Sequence, residues 1–287
     1  MGNIGFYIFY ALNYVITLLP LSILYIFSDF LFLILYYFPS YRRKIVADNL
    51  KNSFPELSQK DRQNIERRFY KHLADLFVET LKLTHLSNTE LKKRFTMSNP
   101  ELLARLYDSD RDLVVVHSHY NNWEWLVCLP FYTKYKIVSI YKPLQNELFD
   151  KFLHKLRTRN NLVLTNMTHV IRDIAENRRE NIRSVYGFLA DQSPAKPEIR
   201  YRTTFLHQDT PVYLGIEKIA KRYDMPVVFF NVQKVKRGHY NLTVELLFDN
   251  VREQPDYFIT DTHVKRLESL IRQKPEYWVW THRRWKY

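Results

Sequence analysis

The chain has 287 residues, 46% of them apolar, enough for a sizeable core in one large α/β domain or two small ones. A formal net charge of +13 and a pI near 9.6 favour an anionic partner: a membrane surface, a phosphorylated lipid, an acidic carrier protein or nucleic acid. The five glycines form no phosphate-cradling loop, which excludes Walker and dinucleotide fingerprints, and the single Cys128 excludes an internal disulfide and a cysteine metal cluster.

From Ile4 to Phe38 the sequence is almost wholly apolar, with Asp29 as its one charge. As one helix these residues would reach about 50 Å, beyond a hydrocarbon core of about 30 Å. A long tilted helix, or one broken near Pro20, is expected over residues 1–40 as a transmembrane or membrane-anchor segment; the bland alternative is a buried core helix pair, which Tyr and Phe on every face of the segment argue against. No basic region precedes it, which argues against a cleaved signal peptide. Phe6 occupies the position where myristoylation of Gly2 would need Ser or Thr. Tyr41-Arg42-Arg43-Lys44 follows the segment and places residues 41–287 on the cytoplasmic side. The aromatic content of 16% suits work at an interface.

Residues 42–95 read as helical, with Ile65, Phe69, Leu73, Phe77 and Leu81 recurring every fourth position. After Pro100, short apolar runs appear at Leu113–Val116, Lys136–Tyr141, Val185–Ala190 and Pro226–Val232, separated by helix-length stretches. This alternation predicts a single α/β domain with a mostly parallel sheet, whose ligand site lies at the carboxyl ends of the strands.

The run Asp112-Leu-Val-Val-Val-His117 stops at Ser118-His119-Tyr120-Asn121-Asn122-Trp123-Glu124. His119 is therefore expected just past a strand end, and Glu124 in the opening turns of the next helix. A hydroxyl attacking an acyl thioester needs a base to take its proton, and a carboxylate on the other imidazole nitrogen would hold the correct tautomer. The bland alternative is a histidine ending a strand and an acidic residue favoured in a helix's first turn.

His119-Tyr-Asn-Asn-Trp-Glu124 resembles the His-x4-Asp/Glu motif of glycerolipid acyltransferases, and the nearest likeness is to the late acyltransferases of lipid A biosynthesis. Tyr141-Lys142-Pro143-Leu144 with Asn146 is similar to that family's Tyr-Arg-Pro segment, and Leu156-Arg157-Thr158-Arg159-Asn160 to its Arg-x-Arg element. Ala190-Asp191-Gln192 matches its Asp-Gln strand end, and Pro275–Trp285 its closing signature. Two departures are Lys142 in place of Arg, and Ser-Pro-Ala-Lys after Gln192.

The resemblance implies a glycerolipid-acyltransferase-like domain behind an N-terminal membrane-anchoring helix at the inner membrane. It also implies an acyl carrier protein or coenzyme A thioester as donor, a phosphorylated lipid A precursor as acceptor, and no metal or organic cofactor. By carry-over His119 is the general base and Glu124 its orienting partner. Arg157, Arg159, Lys142, Asp191 and Asn122 are the expected substrate-binding residues.

Backbone N–H groups near Asn121 and Asn122 are candidates for the oxyanion site. Ser118 and Cys128 lack the context of a nucleophile, so no acyl-enzyme is expected. His117 is a second candidate base, better explained as a packed strand residue. Trp280, His282 and Arg283 fit a C-terminal strand equally well, and Lys218, Lys221 and Arg222 a solvated helix face open to an acidic carrier. The alternatives are another acceptor (a lysophospholipid, an aminolipid or another glycolipid) or a non-enzymatic basic binding protein. No recognised nucleic-acid motif supports the last.

Overall fold

The computed structural model describes residues 2–38 and 41–287; residues 1, 39 and 40 of the expected anchor lie outside the described residues. The apolar N-terminus forms α1 (Gly2–Ile16) and α2 (Leu21–Tyr37). Then come α3 (Arg43–Ser53), α4 (Gln59–Lys82), α5 (Asn88–Arg94), β1 (Phe95–Met97), α6 (Pro100–Asp108) and β2 (Leu113–His117). A 3-10 helix over Trp123–Phe131 leads to β3 (Lys136–Tyr141), α7 (Glu147–Arg157), β4 (Val163–Asn166), α8 (Val170–Arg179) and β5 (Ser184–Leu189). The hairpin β6 (Arg202–Phe205) and β7 (Gln208–Pro211) precedes α9 (Gly215–Tyr223), β8 (Val227–Lys236), β9 (His239–Phe248) and α10 (Phe258–Gln273).

Seven strands form one sheet in the order β1-β9-β8-β2-β5-β3-β4, parallel except for the β8–β9 hairpin. The expected α/β architecture with a mostly parallel sheet is present, its one antiparallel pair being that hairpin. The four apolar runs became β2, β3, β5 and β8. Alternation along β2 divides the core: Val114 and Val116 join one apolar cluster, Leu113 and Val115 the other. Both sheet faces are therefore covered, as a mostly parallel sheet requires.

The expected long span is not formed. Among the described residues no helix is long and apolar enough to cross a membrane. Pro20 has no N–H to continue α1 and serves as the N-cap of α2. Lys82 Nζ donates to Thr17 O at 2.7 Å and Leu19 O at 2.9 Å, satisfying carbonyls that a continuous helix would have bonded itself. Helices of 15 and 17 residues reach about 22 and 26 Å, short of a core of about 30 Å.

Both helices are two-faced. On α2, Leu21, Leu24, Ser28, Phe32 and Tyr36 are buried, while Ile26, Phe27, Phe30, Leu33 and Tyr37 are exposed. The α1 residues Phe6 and Phe9 stand against Phe149 and Phe152 of α7, at ring-centroid distances of 5.1–5.7 Å. The every-fourth pattern on α4 drifts by about 40° per step. Ile65, Phe69 and Leu73 accordingly face the core, and Phe77 has turned outward to 46% exposure.

Polar groups fasten α2 to α4 and the hairpin. Ser28 Oγ donates to Asp75 Oδ1 at 2.7 Å, Arg237 bridges Asp29 and Asp75, and Tyr25 Oη donates to Glu79 Oε1 at 2.8 Å. Gly238 at the hairpin tip has φ +67, and a Cβ there would collide with the Tyr25 hydroxyl, so glycine is required twice over.

Glu79 is fully buried, and burial, then the nearby Asp75, push its carboxyl up to about 7 against donors from Tyr240 and Tyr25 and the charge of Lys234. Asn122 donates to it as well. Between the unfolded value and about 7 the folded state holds the extra proton, so this group's contribution is present below pH 4.5 and is lost as pH rises. At about 1.4 kcal/mol per unit, it withdraws about 3 kcal/mol by pH 8. Urea unfolding at pH 5 and pH 8 is expected to show a Glu79→Gln variant gaining on wild type by that order at the higher pH. An equal difference at both values would refute it.

Candidate active site

The sheet register builds the site. Parallel β2 and β5 pair His117 with Leu189, and Ala190 N donates to His117 O at 3.0 Å. Two residues further on each chain, His119 stands beside Asp191. Asp191 Oδ1 lies 2.8 Å from His119 Nδ1, while Oδ2 accepts from the His119 backbone N–H at 3.0 Å and Trp278 Nε1 at 2.8 Å. Burial opposes charge on Asp191, but the imidazole, the indole N–H and the backbone N–H prevail and hold its carboxyl down, to about 2. An ionised acceptor on Nδ1 keeps the proton there and leaves Nε2 as a base.

The turn carrying His119 is held from several sides. Val279 N donates to His119 O, Asn121 N to Tyr277 O at 2.9 Å, and Asn121 Nδ2 to Val232 O at 2.8 Å. Asn121 adopts φ 55, a left-handed conformation that Asn tolerates better than most residues. Gln192 Nε2 is 3.3 and 3.5 Å from the two ring nitrogens of His119. An atom nearly equidistant from both lies over the ring face rather than along the Nε2 lone pair. Trp123 meets the ring edge-on, with centroids 4.9 Å apart.

Glu124 is not bonded to the imidazole. Arg157 at the end of α7 takes both its oxygens, Nε to Oε2 at 2.8 Å and Nη2 to Oε1 at 2.5 Å. Burial works against the Glu124 charge, but Arg157 and then His119 hold it below the usual carboxylate range. Asp191 therefore holds the hydrogen-bonding position expected of Glu124.

His119, Trp123, Glu124, Arg157 and Lys142 line one cavity of about 580 Å³ whose remaining wall is mainly apolar, running past Gly187 to Leu162 and Phe230. Its margin includes Pro143 and Leu144, both exposed, just ahead of α7, against which α1 packs.

Other expected site residues fall elsewhere. Arg159 donates to Leu83 O at 2.6 Å and Leu86 O at 2.7 Å, closing the carbonyls past α4, and does not line the cavity. Asn122 is buried as the N-cap of the 3-10 helix, accepting from Trp125 N and donating to Glu79 Oε2 at 2.6 Å, so it too is absent from the cavity wall. The Asn121 N–H, spent on Tyr277, is unavailable to an oxyanion. Lys221 is tied to Glu217 and Asp256, while Lys218, Arg222 and Arg283 are exposed. Trp280 donates to Pro275 O within the core, and Cys128 is buried in the 3-10 helix.

Behind His119 and Asp191 lies a cavity of about 10 Å³, lined by His117, Asp191, His263 and Arg284 among others. Burial pushes His117 and His263 down to about 4, which keeps both neutral. Arg284 is 2% exposed and donates to Ser193 Oγ. Trp278, Gln192 and Arg284 were not singled out by sequence reasoning. All three lie in the two stretches, 190–192 and 275–285, whose pattern carried the family likeness.

Comparison with known proteins places the chain in a family. The sequence model of a family described as bacterial lipid A biosynthesis acyltransferase matches residues 2–287. The lipid A biosynthesis palmitoleoyltransferase of Escherichia coli (strain K12) is 20% identical over 260 residues, covering 85% of this chain and 79% of that protein. The lipid A biosynthesis acyltransferase of Shigella flexneri is similar to the same extent, 20% over 260 residues with the same coverage.

Proposed function

The chain belongs to the bacterial lipid A biosynthesis acyltransferase family, and from that membership we propose that it moves a fatty acyl chain from an acyl carrier protein thioester to a hydroxyl of a phosphorylated lipid A precursor. The observation that carries this reading is His119, held through Nδ1 by Asp191, at an apolar cavity of about 580 Å³. Nε2 takes the acceptor hydroxyl's proton as the oxygen attacks the thioester carbonyl. Asp191 and Glu124 stabilise the imidazolium that forms. The tetrahedral oxyanion collapses, the carbon–sulfur bond breaks, and the departing thiolate takes the proton from His119. The N-terminal N–H groups of the 3-10 helix, beyond Asn121, are the donors for the oxyanion.

The acyl chain occupies the apolar cavity, and Lys142 and Arg157 give its polar side the cations for a phosphorylated acceptor. Residues 1–40 serve as the membrane anchor of a cytoplasmic acyltransferase domain, 41–287. The exposed faces of α1 and α2 enter one leaflet without crossing it, since large contiguous apolar surface of this kind marks a membrane or partner site. Incubation with an acyl carrier protein thioester and a lipid A precursor is expected to raise the precursor's mass by one acyl group. No product on that acceptor, with product on a lysophospholipid or aminolipid, would keep the chemistry and replace the acceptor.

A further inference from the structure

The turn between His119 and Glu124 is joined to the exposed helix α2 by a buried side-chain bridge. Glu79 of α4 stands at its centre, fully buried. Its Oε1 accepts from Tyr25 of α2 at 2.8 Å, and its Oε2 accepts from Asn122 at 2.6 Å and Tyr240 of β9 at 2.8 Å. Asn122 in turn caps the 3-10 helix through Oδ1, accepting from Trp125 N at 3.2 Å, and Trp125 Nε1 returns to the Glu79 backbone carbonyl at 3.2 Å. The first residues after that cap are Trp123, against the His119 ring, and Glu124, paired with Arg157.

We infer that Glu79 is a positioning residue for the acyl-transfer site, coupling the seating of α2 on the body of the protein to the placement of the His119–Glu124 turn. The inference rests on the functional reading above for its kinetic test only. Two features make the bridge directional. Tyr25 is wedged against Gly238, where no Cβ fits, so its hydroxyl has little room to seek another partner. The opposite side of α2 exposes Ile26, Phe27 and Phe30, so whatever surface receives those side chains sets the pose of Tyr25. A site held too loosely by its supporting residues loses rate before it loses binding, because the reacting atoms must be placed within fractions of an ångström.

The test uses the full chain in detergent micelles, with transfer from an acyl carrier protein thioester as the readout. Glu79→Ala is expected to lower kcat by about 10²-fold, the order of a 1 Å misplacement, and to leave KM largely unchanged. Glu79→Gln keeps most of the rate: its carbonyl oxygen still accepts from Asn122 and Tyr240, and its amide donates to a rotated Tyr25 hydroxyl. Tyr25→Phe and Asn122→Ala each lower kcat by about tenfold, the order of one buried hydrogen bond. The double variant is no worse than the poorer single one, since both cut the same bridge.

Should Glu79→Ala not fold, the Tyr25/Asn122 cycle decides, and effects that multiply independently would overturn the inference. A folded Glu79→Ala enzyme with wild-type kcat would also overturn it. The imidazole ¹⁵N resonances of His119, identified by their loss in His119→Asn, are expected to move in Tyr25→Phe, and unmoved resonances count against the bridge. Because that signal needs no turnover, a wild type without transfer would overturn the functional reading and leave the resonances to judge the bridge.

Discussion

Replacing His119 by alanine is expected to lower acyl transfer by about 10³-fold, within the range for loss of a general base, and to leave the chain folded. The fold survives because Asp191 keeps two of its three donors, the His119 backbone N–H and Trp278 Nε1, both on Oδ2. Only Oδ1 is released, and it faces the space the ring vacated. Asp191→Asn is the sharper test. The same two N–H donors force the new amide to present its oxygen to them, which turns its NH2 toward Nδ1. Nδ1 must then accept, the ring proton moves to Nε2, and the nitrogen meant to take the hydroxyl proton already carries one. A loss of about 10⁴-fold in kcat with little change in thermal stability is expected, as for other orienting carboxylates.

Glu124→Gln is expected to cost less, about 10-fold to 10²-fold, because it weakens a through-space charge and the Arg157 pair rather than the tautomer. Steady-state kinetics on the three variants, with near-ultraviolet circular dichroism as the check on folding, separates the roles. If Glu124→Gln proved far worse than Asp191→Asn, Glu124 would be the orienting partner and the Asp191 bond a structural one.

The position of His119 was legible because a four-residue apolar run, Leu113–Val116, too short for a helix, reads as a buried strand, and its end marks the crevice of a parallel sheet. Asp191 was legible as a second strand end. Their pairing was not, because it depends on β5 lying next to β2 while β3 and β4 intervene in sequence. Neighbouring strands in register bring residues 72 apart within 2.8 Å, a relation that no local spacing encodes. The His-x4-Glu spacing is local and drew attention to the wrong carboxylate for the hydrogen bond.

Arg159 lies outside the cavity wall for a related reason. An Arg-x-Arg pair reads as two cations on one surface, yet α7 ends at Arg157, and Arg159 turns to the open carbonyls past α4. Strand β9 was missed because buried and half-buried residues alternate along it, without the continuous apolar run that marked its neighbours. The break at Pro20 was an open alternative in the sequence. What decides it is Lys82, a side chain 62 residues away that satisfies the carbonyls of the turn.

Deleting residues 1–40 is expected to abolish cooperative folding rather than release a soluble catalytic domain. Leu21, Leu24, Phe32 and Tyr36 are each less than 8% exposed. At about 1.5–3 kcal/mol per buried apolar side chain they contribute on the order of 6–12 kcal/mol, comparable with the whole stability of a typical domain, about 5–15 kcal/mol. The polar losses act in the same direction. Asp75 would lose Ser28, Glu79 would lose Tyr25, and Lys82 would lose both carbonyls that receive it.

A helix that served only as a tether would leave no such groups behind. Expression of residues 41–287 followed by urea titration is the measurement. A single cooperative transition with retained near-ultraviolet signal would show that α1 and α2 are dispensable to the fold. Its absence, with the full chain intact in detergent, would make α1 and α2 part of the same cooperative unit that carries His119.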